Sequence, residues 1–332
     1  MEPQKQAILI VSQIDMGPAR TLAIFAVTLA AWGQTRQGDI EFFGHEGLDE
    51  AKLRAALSAV SWTPKTIRAV LAATDVAIVC CDEQRRQVLF VGIAGTSYSP
   101  FPYNPEPTGT LRLGREAHRL ADAADKALEK AVRRGDGSAS EDDSAGYAMF
   151  KDPDTRRALL KIRQYALAHE PELRDVLAHS AHVRSRQVAS EFLGYATASP
   201  TQIAALVAAV RDPDGTARNN ATRALGVLLR SNSRWAAEIP VAPFVAMARS
   251  GIWTDRNKAV AVLDQLTATL DPTTLKAVRE GAESALLEMA NWKNIGWSYS
   301  ARMVIGRLRG IPEPELERLA SLGPLPLVNP KH

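Results

Sequence analysis

Apolar residues in the second half of the chain recur at helical spacing, and the short segments that they mark follow one another in pairs. A pair of short helices cannot bury its apolar faces alone, so successive pairs are expected to stack on each other. One further helix is predicted to begin after Asp152. The predicted pairs cover residues 171–178 with 183–197, 200–211 with 215–229, 241–249 with 254–270, and 275–290 with 298–309.

The second helices of these pairs share a motif. Segments 180–194 and 212–226 align at an offset of 32 residues, and the same register brings Ala259 and Ala301 into line at further intervals of 38 and 42 residues. Such a period is typical of a helical solenoid, which offers an extended binding surface rather than a catalytic pocket. The repeat positions are Asp212, Arg218, Ala221, Leu225 and Gly226, with Arg186, Ala189, Leu193 and Gly194 in the preceding repeat.

On these residues, the segment 149–322 resembles the HEAT-repeat family, and in particular the short HEAT-like repeats named after phycobilisome lyases. The match depends most on segments 212–214 and 224–226 with Arg218 and Ala221 between them. The resemblance implies an all-α superhelical solenoid in which Asp and Arg side chains form a ladder between repeats. It implies no single function, because this scaffold serves enzymes, chaperones and adaptors. Departures from the pattern are Ser180, Ser250 and Trp292 at the Asp position and Ser298 at the Arg position.

The first half of the chain predicts a small α+β domain over residues 38–134. Its apolar runs predict the order strand, helix, helix, strand, strand, followed by a long helix rich in alanine. A polar segment rich in glycine, serine and acids, 135–148, predicts a linker to the repeats, and 323–332 predicts a tail. The predicted elements are 39–44, 48–60, 63–72, 76–81, 88–93 and 113–132.

That order, with its opening segment 40–57 (IEFFGHEGLDEAKLRAAL), resembles the POTRA domain, a small module of bacterial envelope proteins. The resemblance implies binding of peptides or neighbouring domains by addition of a strand at a sheet edge. It carries over no catalytic residue. A generic small α+β domain is the alternative.

The N-terminal residues 1–33 predict a signal peptide, either alone or preceded by an upstream extension. The apolar run 21–33 follows Arg20 and is shorter than the roughly 20 residues of a membrane-spanning helix. Small residues at Ala31 and Gly33 predict cleavage near Gly33. The mature chain is then extracytoplasmic, periplasmic or secreted, without a stable membrane span. The alternatives are a membrane anchor formed by 21–33 and a core helix.

Charge and composition argue against several other classes. The formal net charge is +3 and the basic residues are dispersed, which disfavours a nucleic-acid partner. The adjacent Cys80 and Cys81 are interpreted as small strand residues, and no cysteine or histidine spacing indicates a metal. We therefore predict no metal, no cofactor and no catalytic residue, since the common catalytic motifs are also absent.

The sequence thus predicts an exported bacterial scaffold that binds a protein or peptide partner through its repeats. Arg184 and Asn219 are the predicted partner-binding residues, because both lie on second helices at positions outside the apolar face. The alternative function is a lyase-type enzyme, or a chaperone or accessory of an enzyme. Two groups of residues each have two interpretations. Structural ion pairs or a phosphate-binding stripe could be formed by Arg184, Arg186, Arg218 and Arg223. A solenoid cap or a binding rim could be formed by Trp253, Trp292 and Trp297.

Overall fold

The computed structural model describes residues 9–11, 24–26, 37–80, 82, 84, 86–135 and 137–323. The strands are β1 (Leu9–Val11), β2 (Ile24–Ala26), β3 (Gln37–Phe43), β4 (Ala73–Cys80), β5 (Gln87–Ile93), β6 (Glu141–Asp142) and β7 (Met149–Phe150). The helices are α1 (Glu50–Leu57), α2 (Pro64–Val70), α3 (Arg115–Arg134), α4 (Pro153–His179), α5 (Val183–Leu193), α6 (Pro200–Ala209), α7 (Gly215–Ser231), α8 (Ala242–Met247), α9 (Trp253–Thr267), α10 (Pro272–Ala290), α11 (Ile295–Leu308) and α12 (Glu313–Ala320).

The described residues form two compact units. The first consists of residues 102–240 with strand β1, and the second consists of residues 24–101 together with 241–323. This division differs from the predicted boundaries at 134 and 149. The long helix α3, assigned above to the α+β domain, belongs to the first unit, where its buried alanines pack on α4 and α5.

The first unit consists mainly of packed helices. Helix α4 packs on α5, α6 packs on α7, and α5 lies against α7 of the following pair. Helices α4 and α6 begin at a proline preceded by a side-chain cap, Asp152 and Ser199 respectively, because proline has no N–H to lose in a first helical turn. Helix α4 joins two helices that were predicted separately. It kinks at His169, two residues before Pro171, which cannot donate the usual helical hydrogen bond.

The second unit combines a three-stranded sheet with helices. The predicted order strand, helix, helix, strand, strand is present, with β5 in the centre, parallel to β3 and antiparallel to β4. Leu57 of α1 and Ile67 of α2 pack in one core cluster with Leu89 and Val91 of β5. Helices α8 and α9 pack together, as do α10 and α11, and α9 also packs on α11.

Both units therefore contain successive helix pairs, and the helical part of the chain is a helical repeat. The HEAT type of these repeats and the POTRA identity of the sheet segment stay predictions. The predicted signal segment, residues 1–33, lies outside the described residues except for β1 and β2, and the side chains of Cys80 and Cys81 also lie outside them. Within the described part of the chain, no helix is both long and apolar enough to cross a membrane.

One charged residue of β3 gives the second unit a pH-dependent stability. Glu41 is only 4% exposed, and its Oε1 accepts a hydrogen bond of 2.8 Å from the Lys293 backbone N–H. Burial raises the pKa of Glu41 from 4.5 to about 7, so the folded state holds its proton more tightly than the unfolded chain does. The contribution of Glu41 to the free energy of unfolding therefore falls as the pH rises from about 4.5 to about 7.

We expect Glu41→Gln to stabilise the protein above pH 7, by up to about 3 kcal/mol, because glutamine keeps the hydrogen bond and removes the buried charge. Near pH 4 the variant and the original protein should have similar stability, since Glu41 is protonated in both states there. Urea unfolding at pH 4, 6 and 8 measures this difference. Parallel stability curves for the two proteins across this pH range would contradict the prediction.

Candidate partner-binding face

The repeat positions lie at the interface between α5 and α7. Ala189 and Leu193 of α5 and Ala221 and Leu225 of α7 are fully buried. At Gly194, an added Cβ would lie 3.0 Å from the Cβ of Ala224, which is closer than side chains normally pack. The small residues of the motif therefore allow the two helices to approach closely.

Buried arginines satisfy the same backbone carbonyl in each repeat. In each case the acceptor is the backbone carbonyl of the residue at the Asp position of the motif. Arg186 donates to Ser180 O (2.9 Å), Arg218 to Asp212 O (2.8 Å) and Arg256 to Ser250 O (2.7 Å). In the last pair, where Ser298 replaces the arginine, Arg302 lies one turn later and donates to Trp292 O at 3.0 Å. These guanidinium groups stabilise the turns between helices and are too buried to form a phosphate-binding stripe.

Arg186 also makes the contact between repeats that the resemblance implies. Its Nε and Nη2 atoms lie 2.9 and 3.2 Å from the two carboxylate oxygens of Asp212, which belongs to the next repeat. Asp212 Oδ1 in turn accepts a hydrogen bond from the Asp214 N–H. The pair is buried, so it orients α5 relative to the turn before α7.

The structure separates the two predicted partner-binding residues. Arg184 is partly exposed, with 38% of its side chain accessible, and its Nη2 lies 2.9 Å from Asp122 Oδ1 on α3. Asn219 is only 6% exposed, so it does not lie at the solvent-facing position on which its prediction as a partner-binding residue depended. The sequence did not show that Asn219 is buried. Consecutive helix residues point about 100° apart, so the environment of Arg218 does not indicate the environment of Asn219.

A face formed by α5 and α7 carries partly exposed polar side chains on both helices. We call it the α5–α7 face and define it by Arg184, Gln187 and Glu191 of α5 and Asn220 and Arg223 of α7. The Asn220 side-chain amide donates to the Gln187 carbonyl at 3.1 Å and so joins the two helices. Successive repeats thereby contribute side chains to one surface.

A small pocket opens at one end of this face. It has room for about one or two water molecules. The sequence analysis did not predict this pocket. The available signal was the position of Glu191, which lies seven residues after Arg184 and therefore on the same side of α5. Its lining residues are Ala148, Glu191, Gly194, Tyr195, Asn220, Arg223, Ala224 and Val227.

The ionisation of Glu191 is strongly perturbed. Burial raises its pKa to about 8, and the nearby carboxylate of Asp125 on α3 raises it further, against the opposing effects of Arg184 and Arg223. Burial also raises the pKa of Asp125. Neither carboxylate forms a hydrogen bond or ion pair with another residue in the part of the chain that the structure describes. Both acids therefore favour the protonated state more than exposed carboxyl groups do.

The segment predicted as a linker packs beside the pocket instead. Strands β6 and β7 pair as an antiparallel hairpin in which Ala139, Ser140 and Ala148 are buried. Glu141 of β6 forms an ion pair with Arg223, and Asp143 forms one with Arg230, both on α7. The polar composition of 135–148 suggested solvent exposure, but the arginines of α7 compensate these acids and so allow the segment to fold.

The three tryptophans of the second unit surround one phenylalanine of the sheet. The Phe90 ring centroid lies 5.0 Å from that of Trp253, 4.9 Å from Trp292 and 5.3 Å from Trp297. All three indole side chains are at most 2% exposed, and Trp292 Nε1 donates to Phe42 O at 3.0 Å. They cover the face of the sheet opposite α1 and α2 and are too buried to form a binding rim, while their use as a solenoid cap stays a prediction.

Glu288 of α10 attaches the loop after β3 to the helices of the same unit. Its carboxylate accepts hydrogen bonds from the N–H groups of Gly44 (2.8 Å) and Glu46 (2.9 Å), from Ser97 Oγ (2.6 Å) and from Arg256 (3.1 Å). Burial opposes its ionisation, but these donors and the adjacent His45 outweigh burial and lower the pKa of Glu288. Both carboxylate oxygens of Glu288 accept hydrogen bonds from residues of the same unit, so this cluster has a structural role.

The described residues contain no group of three or more His, Cys, Asp or Glu side chains placed to hold a metal ion.

Comparison with known proteins gives little beyond this geometry. No family model matches the chain, and no curated protein matches it. Among solved structures, the chain is similar to a designed armadillo repeat protein, YIII(Dq)4CqI, with 16% sequence identity and a TM-score of 0.37 over 58% of this chain and 91% of that one.

Proposed function

We propose that this protein is an interaction scaffold that binds a protein or peptide partner along the α5–α7 face. The observation that carries this proposal is the alignment of partly exposed polar side chains on the second helices of two successive repeats. Repeat proteins commonly bind partners along such aligned helices, because each repeat adds contacts to one continuous surface. On this face, the side chain of Arg184 is 38% exposed, whereas that of the other arginine, Arg223, is 17% exposed.

We expect Arg184→Ala to weaken binding of the natural partner by about 5- to 30-fold in Kd, the range of a moderate interface hot spot. The ion pair with Asp122 is exposed, so its loss should change the stability of the protein little. The partner is identified by chemical cross-linking and mass spectrometry of extracts from the native host, and affinities are then measured with the purified partner.

Arg157→Ala provides the matched control, because the Arg157 side chain of α4 is 70% exposed and forms an exposed ion pair with Asp154 of the same helix. Its affinity for the partner should equal that of the original protein. Equal binding by both variants would place the partner-binding surface elsewhere in the chain.

We also infer that the protein acts outside the cytoplasm after cleavage near Gly33. The support is the sequence of 21–33, an apolar run with Arg20 before it and small residues at its end. N-terminal sequencing of the protein from its native host should give a chain that begins at about Gln34. Recovery of an uncleaved chain from the cytoplasm would refute this inference.

A further inference from the structure

A proline-rich segment of the first unit runs along the turns between its helices. We call residues 102–111 (PYNPEPTGTL) the strap. The Asn104 N–H donates to the Arg211 carbonyl at 2.7 Å, in the turn before α7, and the Gly109 N–H donates to the His179 carbonyl at 2.8 Å, in the turn before α5. One extended segment thus contacts the turns of two successive helix pairs.

The two acceptor carbonyls occupy the same position of the repeat. Arg211 and His179 each lie immediately before the Asp position of the motif. In the second unit, the Ser99 N–H donates to the carbonyl at the equivalent position, Arg249, at 2.9 Å. The preceding helix ends near this position and leaves its last carbonyls without donors of its own, so each turn offers an acceptor to an extended backbone.

The repeat arginines face the side chains of the strap. Arg186 Nη2 lies 3.1 Å from Glu106 Oε2, and the guanidinium carbon of Arg218 lies 4.2 Å from the ring centroid of Tyr103. Each guanidinium is held in place by its hydrogen bond to the carbonyl at the Asp position. Successive repeats therefore recognise the strap through an ion pair and a cation–π contact.

A third position of the strap is selected by space. At Gly109, an added Cβ would lie 2.5 Å from the His179 carbonyl oxygen, so only glycine fits there. Tyr103, Glu106 and Gly109 recur at intervals of three residues, the period of a polyproline II helix, which the prolines between them favour. The contacts define a linear pattern, Tyr-x-x-Glu-x-x-Gly, of the kind that grooves read in an extended peptide.

Few contacts hold the strap on the turns. Residues 102–106 and Thr108 are exposed, including 42% of Tyr103 and 66% of the Glu106 side chain. Exposed ion pairs stabilise weakly, and a segment with few buried apolar contacts opens at a low free-energy cost. The strap is therefore expected to leave the turns while the helices stay folded.

We propose that the turns of the first unit form a peptide-binding groove, which the strap fills as an intramolecular ligand. The partner that fits this groove is an extended, proline-containing segment of another protein with an aromatic residue, an acid and a glycine at intervals of three. Such a segment competes with the strap for Arg218, Arg186 and the His179 carbonyl. This groove uses none of the residues that define the α5–α7 face, so the inference goes beyond the function proposed above.

The test measures fluorescence anisotropy of a labelled peptide with the sequence of residues 102–111. In the original protein, the tethered strap competes at a high effective concentration. The triple variant Tyr103→Ala, Glu106→Ala, Gly109→Ala loses both side-chain contacts and the fit of the backbone, so it should bind the peptide at least about ten-fold more tightly than the original protein does. The matched control is Thr108→Ala, because Thr108 is exposed in the same strap and forms no hydrogen bond or ion pair within the described part of the chain. It should bind the peptide as weakly as the original protein.

Changes in the peptide test the recognition itself. With the triple variant of the protein, the peptide carrying Gly109→Val should not bind measurably, because no Cβ fits beside His179. The peptide carrying Glu106→Gln should bind about two- to five-fold more weakly, the effect of losing an exposed ion pair. Tyr103→Ala in the peptide should weaken binding about five-fold or more, since the ring over Arg218 is lost. A peptide of scrambled sequence should not bind.

Hydrogen exchange on the original protein provides a measurement that needs no variant. The Asn104 and Gly109 amides should exchange at least about a hundred-fold faster than amides within α7, because the strap opens without unfolding the repeats. Four results would overturn the inference: a triple variant that circular dichroism shows to be unfolded, no binding of the peptide to the folded triple variant, equal binding by the triple variant and the original protein, or one common exchange rate for the strap and α7.

Discussion

Replacing Arg256 by methionine is expected to destabilise the second unit by about 3–5 kcal/mol. The guanidinium is fully buried and donates to the carbonyls of Ser250 (2.7 Å) and Ser97 (3.1 Å) and to the carboxylate of Glu288 (3.1 Å). Burial lowers the pKa of Arg256 to about 10, so it still carries its charge at neutral pH. Methionine fills part of the space but leaves Glu288 without its cation and both carbonyls without a donor.

Urea unfolding followed by tryptophan fluorescence suits this measurement, because Trp253, Trp292 and Trp297 lie in the same unit as Arg256. The matched control is Arg318→Met on the exposed side of α12, for which a change within about 0.5 kcal/mol is expected. The double variant Arg256→Met, Glu288→Gln should lose less stability than the sum of the two single variants, since their buried charges form one pair. Equal midpoints for Arg256→Met and Arg318→Met would show that Arg256 has no such structural role.

The sequence predicted the helices well because their signals are local. The paired helices α6 and α7 begin within a residue of the predicted positions, since apolar spacing, a capping residue and proline at a helix start act over a few positions. Arg256 could have been identified in the same way. It lies 38 residues after Arg218, at the same repeat position, and makes the same bond to the preceding turn.

Contacts between distant segments explain the failures. Trp292 donates to Phe42, 250 residues away, so no local pattern shows that the tryptophans cover the sheet. The hairpin of β6 and β7 looks like a linker until Arg223 and Arg230 of α7 are placed beside it. The pocket likewise depends on α5, α7 and Ala148 lying together, whereas a sequence period gives only the spacing of the helices along the chain.

The register of the repeats leads to a second large effect, at Ala221. Ala221 has no solvent exposure. It lies on α7 one turn before Ala224, where Gly194 and Ala224 approach closely. Replacing Ala221 by glutamate places a larger, charged side chain in a packed interface that has neither the space for it nor a cation positioned to pair with it. We expect a loss of several kcal/mol, from burial of an unpaired charge together with overpacking.

Ala204→Glu distinguishes this effect from a general cost of an added acid in a helix. Ala204 lies on the exposed side of α6 in the same unit, where glutamate is a good helix former, so its stability should change by no more than about 0.5 kcal/mol. Thermal unfolding followed by circular dichroism at pH 7 compares the two variants with the original protein. A large loss confined to Ala221→Glu follows if repeats stack through the small residues of the motif, whereas equal melting temperatures for all three proteins would mean that Ala221 does not lie in a packed interface between repeats.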